Sequence, residues 1–438
     1  MKERNMNRKN VLFTILVALA LLVSACGGVS TPVDGGELPA ETLPGCDLTT
    51  DTTETVEVPS TGDTPAAETM EVPSTGGTEP AETSAATPGG DTPTAQATQV
   101  PSTGGTAAPE TTPAAPRPAG YGVAVQNILS RGSVVCGSRT DLAGFGYLDD
   151  SGRNVGFDVD LCRAVAAAVL GDPEAVEIVP LTAADRGPAL QTGEVDMLAR
   201  TTTWTSVRDA QWGNFTWIMF FDGQGFIVPA DSGVTSIEEL DGATICVTSG
   251  TTTELNLADA FSQRGLAYTA LTFEDTATVY STYEDGRCDA ATSDLSQLAA
   301  VRSGFADPEA HTILDLTISK EPLTPAVPAG DDQWLDIVKV VMWGLINAEE
   351  LGVTQANVDE MMTSESAEVR RLLGAEGDWG QTDLGLDPAA VANAIRAVGN
   401  YGEIYDRYMG AQGDAFTLDR GLNNLWNNGG LIYAPPLR

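Results

Sequence analysis

From Gly27 to Pro118 the chain contains no Phe, Trp, Tyr or Ile. These 92 residues hold 21 Thr and 14 Pro, with 14 acids against one base, Arg117. Such a stretch cannot bury enough apolar surface to offset the entropy of ordering. Any hydrophobic core must therefore lie after residue 118, where nearly all the aromatics are found. A short sequence recurs within the stretch: Val58-Pro59-Ser60-Thr61-Gly62, Val72-Pro73-Ser74-Thr75-Gly76 and Val100-Pro101-Ser102-Thr103-Gly104. The repeats have no apolar face to stack, which argues against a solenoid. Residues 26–118 read instead as a disordered, self-repelling, Pro-stiffened tether.

The segment before the tether reads as an address. Lys2, Arg4, Arg8 and Lys9 precede a nearly uninterrupted apolar run, Val11 to Val23, followed by Ser24-Ala25-Cys26. A basic start, a short apolar run and small residues form a secretory signal, here residues 1–25. The run is too short for an ordinary transmembrane helix. The small pair followed by cysteine resembles a bacterial lipobox. That resemblance implies cleavage before Cys26 and lipid on its sulfur, so the body is expected outside the cell membrane and held to it by lipid alone. Each buried acyl methylene contributes about 0.8 kcal/mol to such an anchor.

The chain carries 61 acidic and 23 basic side chains, a net charge of −38. That balance argues against nucleic-acid partners, which are held by Lys and Arg on phosphates. It equally argues against docking on anionic lipid through a basic face. The single histidine, His311, removes most zinc sites, Ser-His-Asp triads and Cys-His pairs. Neither a metal nor a cofactor is expected.

The body, residues 119–438, is large enough for two lobes with their own cores. Its four cysteines fall as one pair in each half, without CxxC spacing. Export permits disulfides, and Cys136–Cys162 and Cys246–Cys288 are the expected bridges, with four buried thiols as the alternative. Cys46 sits in the tether with no fixed neighbour.

Strand-like Val134 to Cys136, a helix around Cys162 to Leu170 stopped by Gly171-Asp172-Pro173, strand-like Val176 to Pro180, a helix over Ala183 to Gln191 and strand-like Val195 to Ala199 give a β-α-β-α-β order. The order restarts after Gly225-Phe226-Ile227-Val228-Pro229, with strands at Ala243 to Val247 and Arg287 to Thr292. The pattern predicts two α/β lobes, each a mostly parallel sheet covered by helices. Lobe 1 is assigned 119–228, lobe 2 229–318, and a return to lobe 1 319–348. Residues 349–438 form a helical extension packed on lobe 1, with helices expected at Val391 to Val398 and Ile404 to Tyr408. Ligands of open α/β sheets bind outside the carboxyl ends of the strands, so two lobes can face one cleft.

Three strand-to-helix junctions carry candidate chemistry. Arg200-Thr201-Thr202-Thr203-Trp204-Thr205 leads to Arg208, and Thr248-Ser249-Gly250-Thr251-Thr252-Thr253-Glu254 has the same character. Free N–H groups and hydroxyls at a helix start attract anions, and Arg208 adds a fork for a carboxylate. At the third junction Asp294 follows a buried strand and suits an ammonium. Each element alone also reads as ordinary helix capping. Together, Arg208 and Asp294 match the two ends of a zwitterion.

Residues 121–438 resemble the type II solute-binding proteins of amino-acid ABC transporters, closest to the general L-amino-acid-binding branch. The resemblance rests on Gly156-Phe157-Asp158-Val159-Asp160-Leu161-Cys162-Arg163-Ala164, Thr202-Thr203-Trp204-Thr205 with Arg208-Asp209, Asp222-Gly223-Gln224-Gly225-Phe226, and Gly250-Thr251-Thr252-Thr253-Glu254-Leu255-Asn256. Gly286-Arg287-Cys288-Asp289-Ala290, Ile318-Ser319-Lys320-Glu321-Pro322-Leu323 and Val398-Gly399-Asn400-Tyr401-Gly402-Glu403-Ile404 extend it. It implies the two-lobed type II periplasmic-binding-protein fold and a monomer that closes around an L-amino acid and docks on a permease with its ATPase. Arg208 would hold the α-carboxylate, helped by Thr203, Thr251 and the N–H of Thr252. Asp294 would hold the α-ammonium, helped by the carbonyl of Thr201. Where relatives place aromatics over the ligand side chain, this chain has Leu142 and Ala183, with Phe145 and Trp204 nearby as substitutes. Arg139 is read as solvated rather than as a selector of acidic ligands, and Gly187 is an unexplained glycine within a helix, costing about 1 kcal/mol.

Two other readings remain. An enzyme on the same fold, a dehydratase or peptidoglycan lyase, needs a positioned acid or base; Glu254, Asp185 and His311 are the candidates, each simpler as a helix or loop residue. A sensor without transport partners is the other.

Overall fold

A computed structural model describes residues 122–413 and 416–438. They belong to one compact unit, Ala107–Arg438. The signal segment, Cys26 and the tether with Cys46 lie outside the described residues.

Two five-stranded sheets repeat one topology. In the first, Val176–Pro180, Val134–Ser138 and Met197–Leu198 run parallel, with Val134 opposite Val176 and Cys136 opposite Met197. Ala326–Val327 and Asn214–Phe215 complete it as antiparallel neighbours. In the second, Tyr268–Phe273, Ala243–Thr248 and Ala290–Asp294 run parallel, and Gln224–Pro229 and His311–Ile313 are antiparallel. The strand Gln224–Pro229 pairs with the second sheet along Gln224↔Asp294 to Ile227↔Ala291. The chain therefore changes sheet at Gly223, earlier than the 228/229 boundary read from the sequence, because the alternation of Phe226 and Val228 with Ile227 is buried on both faces of that sheet. The two crossings run side by side as a hinge, Phe220–Asp222 against Glu321–Leu323, with Glu321 opposite Asp222.

The parallel order follows from what lies between the strands. Helix Phe157–Leu170 starts at Gly156, whose φ of 133° brings its Cα against the Phe145 carbonyl, where a Cβ would lie 2.2 Å from that oxygen. It ends at left-handed Gly171, and its residues from Phe157 to Ala168 are buried. Helix Arg186–Thr192 begins later than its sequence reading because Thr182 and Asp185 close a turn ahead of it, Thr182 Oγ1 donating to Asp185 Oδ2 at 2.6 Å. Pro188 then falls in the first turn, where no intrahelical bond is lost. Gly187 is explained by packing: a Cβ there would sit 2.7 Å from the Trp212 ring.

The C-terminal helices Asp332–Glu350, Ala390–Val398 and Tyr401–Tyr408 share one core with Phe157–Leu170. Tyr401 packs edge-on against Phe157, Tyr405 stacks on Phe220, and Tyr401 Oη donates to the Met219 carbonyl at 3.0 Å. Asn423 then grips the hinge backbone in both directions, accepting from Phe221 N at 2.7 Å and donating to Phe221 O at 3.0 Å. No described helix is long and apolar enough to cross a membrane.

Disulfides join Cys136 to Cys162 and Cys246 to Cys288, tying the interior strand Val134–Ser138 of the first sheet to its helix and two neighbouring segments of the second lobe. Replacing Cys246 and Cys288 together by Ser is expected to lower stability by roughly 3–4 kcal/mol, the loop-entropy contribution of a bridge of this span. Urea unfolding reads this directly, and unchanged stability would show that the bridge does not form in the folded protein.

Candidate functional site

The carboxyl ends of both parallel sheets face one cavity. From the first lobe it is lined by Arg139, Ala183, Arg186, Arg200, Thr201 and Thr203. From the second it is lined by Thr248, Thr251, Thr252, Thr253, Thr276, Ser293, Asp294 and Gln297. Most of these residues lie at the end of a strand, in the few residues after it, or in the first turn of a helix. Arg139 follows Val134–Ser138, and Arg200 to Thr203 follow Met197–Leu198. Thr251 caps helix Thr252–Arg264, its hydroxyl accepting from Glu254 N at 3.2 Å. Thr201 has a φ of 40°, alone among the described non-glycine residues in being left-handed, and its N–H donates to Asp158 Oδ2 at 2.7 Å. A conformation this uncommon for a β-branched residue persists only when its surroundings impose it.

Thr201, Thr203, Thr251, Thr252, Asp294 and Ala183 are thus brought together. Arg208 does not line the cavity. It is buried behind Thr203, donates Nη1 to the Thr203 carbonyl at 3.0 Å and lies 4.7 Å over the Trp212 ring. The expected side-chain pocket is not built from Leu142, Phe145 or Trp204. Leu142 and Phe145 belong to the first lobe's core, where Phe145 meets Phe220 edge-on at 5.2 Å. Those residues sit in a tight antiparallel turn, Asp141–Leu142 against Gly146–Leu148, that directs the apolar side chains inward. Trp204 stacks on Phe215 and remains 36% exposed. No aromatic lines the cavity among the described residues.

The reading of Arg139 as solvated is overturned: it is 2% exposed. Its Nε meets Asp141 Oδ1 at 2.8 Å, Nη1 reaches Gln297 Oε1 at 2.8 Å and Thr201 Oγ1 at 3.3 Å, and Nη2 reaches Thr276 Oγ1 at 3.3 Å. Gln297 and Thr276 belong to the second lobe, so this guanidinium spans the cleft. Its place immediately after a central strand was the available signal. Arg186 and Arg200 also line the cavity and were not singled out in the sequence; the lining opposite them comes from the second lobe, so only the fold could assemble them.

Glu321 was likewise missed. Buried on the hinge strand, it accepts from Thr203 Oγ1 at 2.6 Å, Thr252 Oγ1 at 2.9 Å, Asn256 Nδ2 at 2.7 Å and Ser319 Oγ at 2.5 Å. One carboxylate therefore ties the first lobe to the second. It also shows that the corner between Thr203 and Thr252 receives a carboxylate.

The electrostatics are polarised. Burial, then the charges of Asp222 and Glu321, push the Asp294 carboxyl well above the ordinary range, opposed by Arg186 and Arg208. Burial lifts Asp222 to about 6 although Ser296 donates to it. Burial also lowers the Arg208 pKa, with Glu321 and Asp294 opposing. Carboxylates therefore gather at the hinge end of the cleft and guanidiniums at the first-lobe end. No group of described His, Cys, Asp or Glu side chains could hold a metal ion. His311 contacts Tyr283 Oη at 2.9 Å and packs on Phe305, and Glu254 accepts from Gly250 N at 2.9 Å; neither lines the cavity.

Residues 134–411 match the pattern of the bacterial extracellular solute-binding proteins, family 3. The chain is similar to the general L-amino acid-binding periplasmic protein AapJ of Rhizobium johnstonii, 52% identical over 316 residues, 72% of this chain and 92% of that protein. It is also similar to the glutamate/glutamine/aspartate/asparagine-binding protein BztA of Rhodobacter capsulatus, 47% identical over 72% of this chain and 93% of that protein. Among solved structures, a periplasmic binding protein from Brucella ovis with glutathione bound superposes with a TM-score of 0.70 at 47% identity, covering 72% of this chain and 99% of that one.

Asp158 offers a test of the cavity wall. Burial raises its pKa to about 6, against the Thr201 N–H and the charges of Arg139 and Arg200. A folded-state pKa above the unfolded value contributes stability that is whole below about pH 4 and is lost as pH rises through about 6. Asp158→Asn has no such loss, so its stability relative to wild type is expected to rise between about pH 4 and 7, by at most about 3 kcal/mol. Thermal unfolding at the two pH values measures it; a pH-independent difference would show an ordinary carboxyl.

Proposed function

The chain belongs to the bacterial extracellular solute-binding proteins, family 3, and from that membership we propose that it captures a free L-amino acid between its lobes and releases it unchanged to an ABC permease. The observation that carries this reading is the opposed charge around one cavity: Asp294 on the second lobe and buried arginines on the first. A zwitterion neutralises both ends at once, whereas a simple anion or cation would leave one buried charge unpaired, which is costly.

Asp294 takes the α-ammonium, with the Thr201 carbonyl beside it. The α-carboxylate is held at the Thr203–Thr252 corner, with Thr251 at the helix start and the charge of Arg208 behind. Glu321 already takes both hydroxyl protons there, so the ligand carboxylate is left the free N–H groups of the helix start. Ala183 contributes the small apolar wall. Helix starts supply further N–H groups suited to an anion. Capture rather than turnover fits a lining whose titratable groups are arginines and one aspartate, without an imidazole or a free thiol. We further propose that the protein works as a monomer outside the cell, held to the membrane by lipid on Cys26. The support is the signal-like segment and the small residues before that cysteine.

Isothermal titration of the purified protein with a panel of amino acids tests the reading. At least one is expected to bind, and Arg208→Ala and Asp294→Ala are each expected to weaken it by about 30-fold or more, the loss when one partner of a desolvated charge pair is removed. Absence of binding across all twenty, or full affinity in the double variant, would defeat it.

A further inference from the structure

Resting on the reading of an amino-acid site, we propose that Arg186 and Arg200 form an anion subsite that makes the protein select amino acids carrying a second carboxylate, aspartate and glutamate, over their uncharged amides. The argument starts from an unmatched charge. Three guanidiniums line the cavity at the first-lobe end. Arg139 has a carboxylate beside it, Asp141. Arg186 and Arg200 do not: among the described residues no carboxylate lies within ion-pair distance of either.

Their protein partners are all neutral. Arg186 donates from Nε to the Ala183 carbonyl at 2.9 Å, and Nη1 lies 3.5 Å from the Thr201 carbonyl and 3.4 Å from Thr202 Oγ1. Arg200 donates from Nε to the Leu181 carbonyl at 2.7 Å. Both side chains are buried, at 3% and 7% exposure. The Nε contacts fix each guanidinium plane, and the terminal nitrogens of Arg200 have no hydrogen-bond partner among the described residues. Such a planar fork suits bidentate recognition of a carboxylate.

The other charges nearby are already engaged. Asp158 Oδ2 accepts from Thr201 N, Asp141 meets Arg139, and Asp294 is assigned to the ligand's ammonium. An α-carboxylate at the Thr203–Thr252 corner satisfies the far end of the site and leaves Arg186 and Arg200 without an ion-paired carboxylate. Burial first, then neighbouring guanidiniums, lowers the pKa of both: Arg200 and Arg208 act on Arg186 against Asp294, and Arg139 acts on Arg200, whose pKa falls to about 9 although Asp141 and Asp158 oppose. A second carboxylate on the ligand removes that repulsion; a side-chain amide presents only one acceptor and no charge. Arginines that merely brace the Leu181–Ala183 loop through their Nε contacts would give no such preference, so the acid-to-amide ratio separates the two roles.

The experiment is titration calorimetry of the purified full-length protein at pH 7 with L-glutamate, L-glutamine, L-aspartate and L-asparagine. At least one acid is expected to bind 10-fold or more tightly than its own amide, and this ratio should shrink toward one in Arg200→Gln. Equal or tighter binding of both amides would overturn the subsite while leaving the amino-acid reading intact. Failure of every amino acid to bind would instead bring down the underlying reading, and the subsite with it. An unchanged ratio in Arg200→Gln, with a melting transition showing that the variant is folded, would also overturn the proposal. Should that variant not fold, the wild-type ratio alone decides.

Discussion

Charge taken out of water must be met by opposite charge or by hydrogen bonds, and that constraint organises this molecule. Two sheets end their parallel strands at one cleft, and polar or charged residues stand at or just past several of those ends. Arg139, Arg200, Thr248 and Asp294 are all carried there by the same topological rule. Arg139 and Glu321 are buried, and each finds partners across the cleft. Arg139 finds Thr276 and Gln297, and Glu321 finds Thr252 and Asn256. The contacts that satisfy buried charge are therefore the same contacts that hold the two lobes together.

The hinge is where this link is made. Phe220–Asp222 and Glu321–Leu323 run antiparallel as the two crossings of the chain. Asp222 lies opposite Glu321, and both carboxylates raise the cost of ionising Asp294. The hinge thus crowds negative charge around Asp294. The C-terminal segment steadies the same strand: Asn423 holds Phe221 by two backbone bonds and Tyr401 holds Met219 by one. Arg420 pairs with Glu349 through two contacts and lies over the Tyr401 and Tyr405 rings. The extension is part of the first lobe's core rather than an appendage to it.

Much of this was legible before any coordinates. Alternating strand and helix signals, with glycine stops such as Gly171, mark two α/β units because those signals are local. The threonine-rich junctions pointed to the cavity because residues at strand ends in such folds converge. Where sequence reasoning failed, the missing information was long-range. Phe145 looks like a ligand-stacking aromatic, but Phe157 and Phe220 close around it. Arg139 looks like a solvated arginine, and its partners lie 137 and 158 residues away. Gly187 looks like a weak helix position, and Trp212 supplies its reason.

The amino-acid sequence by itself determined which part of the chain can fold, that it folds as two sheets covered by helices, and that its cysteines pair within each half. These follow from composition, periodicity and spacing, which are properties of neighbours along the chain. Only the tertiary structure decided which charges share the cleft, that Arg208 sits behind Thr203 while Arg186 and Arg200 face inward, and that Glu321 joins the lobes. A buried charge is defined by what surrounds it, and those surroundings are drawn from segments more than a hundred residues apart, as Glu321 and Thr203 are.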